Sequence, residues 1–128
     1  MIFVDTNVFI YAVGGAHPLR DQARDFFLTV TRRGDRLCTS AAVLQELIHV
    51  YLPVRRMETL DAALELAARV VGTILPIDAD AVMHARDLAD QYPGLTTRDL
   101  LHLAVCRIHK ATAVKTFDRG LQAAFPSA

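Results

Sequence analysis

Short apolar runs recur along this chain, and a segment of helical spacing follows each one. That alternation constrains the fold more than any other feature, because neighbouring strands separated by helix-length connections pair in parallel rather than as hairpins. The first run, Met-Ile-Phe-Val, ends abruptly at Asp5-Thr6-Asn7. Further runs occupy residues 36–39, 73–77 and 111–116. Each reads as a buried strand, apolar on both faces as a covered parallel sheet requires.

The intervening segments read as helices. Residues 7–13 are apolar almost all round, so this helix should be buried, and Gly14-Gly15 should close it. Pro18 is expected to start a second helix with a core face of Phe26, Phe27 and Val30, stopped at Arg32-Arg33-Gly34. Ser40 caps a third, with Val43, Leu44, Leu47, Ile48 and Tyr51 as its apolar stripe, and Pro53 ends or kinks it. A fourth covers 57–71, with Leu60, Leu64, Ala67, Ala68 and Val71 inward and Gly72 as its stop. Asp78 caps a fifth that runs to Tyr92, where Pro93-Gly94 breaks the chain. Thr96 or Thr97 caps a sixth with Leu101, Ala104, Val105 and Ile108 inward, and Asp118 opens a last short helix. The expected fold class is α/β, a short parallel sheet of four or five strands with helices on both faces. A chain of 128 residues suits one domain spanning 1–128.

Composition narrows the function less than the pattern narrows the fold. Hydrophobic residues make up 52% and charged residues 22%, which describes a globular chain rather than a disordered one. A formal net charge of zero argues against a general nucleic-acid coat, but not against a nuclease whose acids are balanced by arginines elsewhere. Of the 14 basic residues only Lys110 and Lys115 are lysines, and arginine's planar fork suits phosphate. Arg32, Arg33, Arg55, Arg56, Arg98 and Arg119 are candidate RNA contacts by charge alone. Cys38 and Cys106 lack the spacing of a zinc knuckle or redox pair and read as small buried apolar side chains. No basic-then-apolar leader precedes Asp5, and no run approaches the roughly 20 apolar residues of a membrane span. The expected location is the cytoplasm.

Four acids occupy unusual places. Asp5 directly follows the first strand and Asp118 nearly follows the last, and the ends of parallel strands share the edge where α/β proteins bind ligands. Asp99 lies in the first turn of its helix. Glu46 lies within a helix among Ala42, Val43 and Val50, where a carboxylate is poorly solvated unless something positive joins it. Each has an ordinary structural explanation: Asp5 and Asp118 as N-caps, Thr96 to Asp99 as a capping box, Glu46 as a pair for an arginine. Caps do not require convergence, however, and these acids can meet at one sheet edge. Oxygen ligands favour Mg²⁺ or Mn²⁺, and such a site can activate water and stabilise charge on a phosphate. His17, His49, His84, His102 and His109 form no metal-binding spacing and read as structural or surface residues. No serine–histidine–acid set and no phosphate-cradling glycine loop is present.

The stretches IFVDTNVFIYA, SAAVLQELIHVY and TTRDLLHLAVCRIHKATAVKTFDRGL, in this order and spread over nearly the whole chain, resemble the PIN-domain ribonucleases, specifically the VapC toxins of toxin–antitoxin pairs. The resemblance implies a PIN-like fold, an endoribonuclease dependent on Mg²⁺ or Mn²⁺, an RNA substrate, a VapB-like antitoxin and a homodimer. It assigns Asp5, Glu46, Asp99 and Asp118 to the family's four acids, with Asp5 and Asp99 as metal ligands and Glu46 and Asp118 acting directly or through water. Thr6, Asn7 and Thr116 are supporting residues, Asn7 bracing the site. Antitoxin docking requires an apolar groove, to which Val50, Tyr51 and Leu52 are candidates to contribute. Two other classes remain open: a non-catalytic RNA-binding or interaction module on the same fold, and a phosphoryl-transfer enzyme with Asp5 as nucleophile. The latter is weakened because no second Asp follows two residues after Asp5.

Overall fold

The structure, a computed structural model, describes residues 1–126 and 128. Four strands form one sheet: β1 (Ile2–Val4), β2 (Leu37–Ser40), β3 (Thr73–Leu75) and β4 (Ala113–Lys115), ordered β3-β2-β1-β4 with every pairing parallel. Seven helices accompany them among the described residues: α1 (Thr6–Val13), α2 (Arg20–Arg33), α3 (Ala41–Tyr51), α4 (Met57–Val70), α5 (Ala79–Gln91), α6 (Thr97–Ile108) and α7 (Arg119–Ala124). The α/β class and the covered parallel sheet are as expected, with four strands.

The strand order dictates where the helices go. The chain moves from β1 to β2 to β3 in one direction and then returns to the other side of β1 for β4. Right-handed crossovers therefore send α1–α4 to one face and α5–α6 to the other. The packing agrees, since α1 meets α2, α3 and α4, while α5 lies against α6. β1 is central and its Phe3 and Val4 are wholly buried. The reversal of direction between β1 and β4 opens a crevice at their carboxyl ends, the usual ligand position of such sheets.

Local chemistry explains most helix boundaries. The side chains of Ser40, Asp78, Thr96 and Asp118 accept hydrogen bonds from the backbone N–H groups of Val43, Ala81, Asp99 and Leu121, satisfying donors that the first turn leaves free. Gly34, at φ 72°, ends α2 in the left-handed conformation, and Asp35 N–H reaches back to the Val30 carbonyl.

Several boundaries and faces differ from expectation. α2 starts at Arg20 rather than at Pro18, because His17 Nδ1 accepts from Leu19 N–H and holds residues 17–19 in a turn. Gly72 does not stop α4, which already ends at Val70 with Val71 extended. Ile108 and Ala68 are exposed and Ile48 is 40% exposed, whereas Ala63, Leu100 and Leu103 are buried. Helical period fixes a stripe only to within a residue, and the neighbouring helix decides which edge it covers. No helix among the described residues is long and apolar enough to cross a membrane.

Candidate metal centre

Strand register builds the floor of the crevice. Val4 pairs with Lys115, so the next residues of the two strands, Asp5 and Thr116, emerge side by side. The Asp5 N–H continues the ladder to the Lys115 carbonyl at 3.0 Å, and Thr116 Oγ1 donates to Asp5 Oδ2 at 2.7 Å. The same hydroxyl accepts from Asp118 N–H at 2.9 Å, which draws the start of α7 towards Asp5. Asn7 ties the first turn of α1 to this loop: its amide lies 3.3 Å from Thr116 Oγ1, and its carbonyl accepts from Phe117 N–H at 3.2 Å.

Two helices bring the remaining acids. α3 starts where β2 ends, and one and a half turns on it carries Glu46, 8% exposed, onto the first turn of α1, where the Thr6 hydroxyl donates to Glu46 Oε2. The N-terminus of α6 delivers Asp99. Asp5, Glu46, Asp99 and Asp118 thus line one cavity of about 210 Å³, together with Thr6, Asn7, Thr96, Arg98 and His102. Thr116 lies beneath them, fully buried. Of the six candidate RNA-contacting arginines, Arg98 alone lines this cavity.

The capping explanations and the convergence hold together. Asp5 accepts from Thr6 N–H at 2.7 Å and Asp118 from Leu121 N–H at 3.0 Å. Each cap engages one carboxylate oxygen, so capping does not prevent either residue from lining the cavity; the second Asp5 oxygen accepts from Thr116.

His102 was missed by sequence reasoning, which took it as structural or surface. It is almost wholly buried, with Nε2 3.0 Å from Glu46 Oε1 and 3.5 Å from Asp5 Oδ1. Asp5, Glu46 and His102 are the group whose ligand atoms all lie within 4.8 Å of one another; among the described residues no such group includes Asp99 or Asp118. The available signal was the i, i+3 spacing from Asp99, which puts both residues on one face of α6.

Electrostatics move Glu46 and Asp99 in opposite directions. Burial raises the Glu46 carboxyl, but the His102 hydrogen bond and charge, the Thr6 hydroxyl and Arg98 outweigh it and hold the group below its ordinary value. Asp99 moves the other way, raised by burial and then by the charges of Asp118 and Asp5, against a Thr96 hydrogen bond and the His102 charge. Among the described residues no lysine or arginine makes an ion pair with any of the four acids; their one basic neighbour at such range is the His102 imidazole. Four acids with only one imidazole at ion-pair range among them are what a divalent ion would neutralise, and an oxygen-rich donor set fits a hard one. Asp5 is a poor nucleophile here, since both its oxygens accept hydrogen bonds and the residue is 5% exposed.

The chain is similar to known proteins in both sequence and fold. The PIN domain family matches residues 2–125. Ribonuclease VapC23 of Mycobacterium tuberculosis is 54% identical over 127 residues, covering 99% of this chain and 100% of the relative. The crystal structure of M. tuberculosis VapC20, a sarcin-ricin loop cleaving toxin, superposes with a TM-score of 0.80 at 22% identity, over 97% of this chain and 95% of that one. VapBC2 from Rickettsia felis, bound to a DNA fragment from its promoter, matches with a TM-score of 0.74 at 19% identity, over 98% of this chain and 94% of that one.

Proposed function

The chain belongs to the PIN domain family, and on that premise we propose that it is a metal-dependent endoribonuclease, hydrolysing RNA phosphodiester bonds as the toxin of a type II toxin–antitoxin pair. The observation that carries the reading is the convergence of Asp5, Glu46, Asp99 and Asp118 on one cavity in a chain 54% identical to a named ribonuclease. A divalent cation supplies two things in such a site, a more acidic water and charge to set against a phosphate oxygen.

The residues divide that work. Asp5 and Asp99 are the proposed direct ligands, with Glu46 and Asp118 holding the ion directly or through water. Oxygen donors suit Mg²⁺ or Mn²⁺. Thr116 and Thr6 orient Asp5 and Glu46 by donating to them. Asn7 braces the loop that carries Asp118 through its contact with Phe117. Arg98, at the cavity wall, is placed to meet the phosphate of an entering strand. A purely binding module has no use for converging carboxylates, which would repel the RNA backbone.

Sequencing of RNA ends after brief expression tests activity and substrate together. Asp5→Asn and Asp99→Asn should each lower cleavage by more than about 100-fold, since even outer-shell substitutions cost 10- to 100-fold. Wild-type cleavage by either variant in Mg²⁺ or Mn²⁺ would sink the assignment.

The proposed partners are RNA, a VapB-like antitoxin and a second copy of the chain, acting in the cytoplasm, where its substrate is made. An apolar groove suited to a partner's helix lies between α1, α2 and α4, about 650 Å³ in volume and floored by Ala12, Phe27, Leu28, Leu66 and Val70. Val50 and Tyr51 line a smaller cavity beside the end of α1, and Val50 also borders the acidic cavity, so the larger groove is the face we favour. Val82 and Met83 of α5, 51% and 62% exposed, offer an apolar face to a second copy. Light scattering of the chain alone and with the antitoxin reads both associations; a lone monomer in each case would refute them.

A further inference from the structure

His102 is 1% exposed, and no role follows for it from the acids alone. Its ring packs against Phe3, with centroids 5.5 Å apart, and Nδ1 is buried without a hydrogen-bond partner. Nε2, by contrast, faces two acceptors, Glu46 Oε1 and Asp5 Oδ1. A ring nitrogen hydrogen without an acceptor is costly in the interior, so the neutral ring carries its one hydrogen on Nε2, and a charged ring has one there as well. Glu46 is consequently held at both oxygens, by Thr6 on Oε2 and by His102 on Oε1.

We propose that His102 is a positioning residue: its Nε2–H bridges Glu46 and Asp5 and keeps the two carboxylates converged, so that the pair is preorganised for a divalent cation. This rests on the metal-centre reading above. Without a donor between them, two buried carboxylates this close repel, and the ion would have to gather them at the expense of its own binding. The imidazole is not itself a ligand, since the lone pair that would reach the ion is replaced by the bonding hydrogen. The role belongs to α6 as a unit, because Asp99 and His102 are one turn apart and arrive together.

The test is Mn²⁺ affinity, measured by the electron paramagnetic resonance of the free ion, for wild type, His102→Gln and His102→Asn. The Gln amide nitrogen falls where Nε2 lies, whereas the Asn nitrogen falls at Nδ1 and cannot reach the carboxylates. Gln should bind within about threefold of wild type and Asn at least about tenfold more weakly, the range for lost outer-shell hydrogen bonds. Circular dichroism should show the same helix content in all three. Asn binding like wild type, or Gln as weak as Asn, overturns the proposal. Two measurements on the unsubstituted protein do not depend on folded variants. Nitrogen coupling to bound Mn²⁺ in the spin-echo spectrum would make His102 a ligand and overturn it. So would a ¹⁵N shift placing a bare lone pair on Nε2 of the Mg²⁺-loaded protein; a hydrogen-bearing Nε2 supports it. Failure of the wild type to bind Mn²⁺ removes the metal-centre reading itself, and is recognisable because it precedes any substitution.

Discussion

Asp99 and His102 sit one turn apart and face the same cavity, yet only Asp99 was legible in the sequence. Asp99 was read from its place in the first turn of its helix and from the TTRDLLHLA stretch that resembles the family's third acid. A histidine inside Leu-Leu-His-Leu-Ala offers no such sign, since nothing local tells a bonded core histidine from a bridging one. Asp99 also carries a prediction about pH. Burial, Asp118 and Asp5 raise its carboxyl above the ordinary 3.8, so the folded metal-free protein holds that proton more tightly than the unfolded chain. The resulting stabilisation is present at low pH and is lost as pH rises from 3.8 through the folded-state value. Asp99→Asn should therefore raise the Tm of the chelator-treated protein at pH 7, by a few degrees on the usual scale for a domain of this size. Saturating Mg²⁺ should stabilise wild type more than the variant, because only wild type keeps the full ligand set. A lower Tm for the variant at pH 7 in chelator would contradict the repulsion.

At the scale of elements, caps were the most legible feature and face assignments the least. Ser40, Asp78, Thr96 and Asp118 all cap helices where a short polar residue precedes an apolar period, a purely local arrangement. Gly34 was readable in the same way. Lys110 was not: it closes α6 at φ 57°, with Ala111 N–H bonded to the Cys106 carbonyl, in a position that favours glycine. A lysine in the left-handed region is strained by roughly 1–2 kcal/mol. Lys110→Gly recovers this strain less the entropy glycine adds to the unfolded chain, and should stabilise the protein by about 0.5–1 kcal/mol. Urea titration measures it; an unchanged or lower midpoint at constant slope would show that the strain is relieved by other contacts.

For the whole molecule, the question is how two separate surfaces divide the work. The acidic cavity lies at the carboxyl edge of β1 and β4, whereas the apolar groove is formed by α1, α2 and α4. Leu28, 55% exposed, lines the groove and not the cavity. Leu28→Glu should leave RNA cleavage within about twofold of wild type while weakening antitoxin binding at least about tenfold, the loss expected when a central apolar anchor becomes charged. Unchanged antitoxin affinity would move docking to another face. The sequence by itself determined the alternation of elements, their caps and the four acids, because period, capping and the cost of a charge among apolar neighbours are properties of adjacent residues. Only the tertiary structure decided that β4 returns beside β1, that the Val4–Lys115 register sets Thr116 against Asp5, and that His102 lands between Asp5 and Glu46. Those facts depend on strand order and helix docking, which bring together residues up to 111 positions apart in the chain. No local pattern encodes which distant partner a buried polar group will meet.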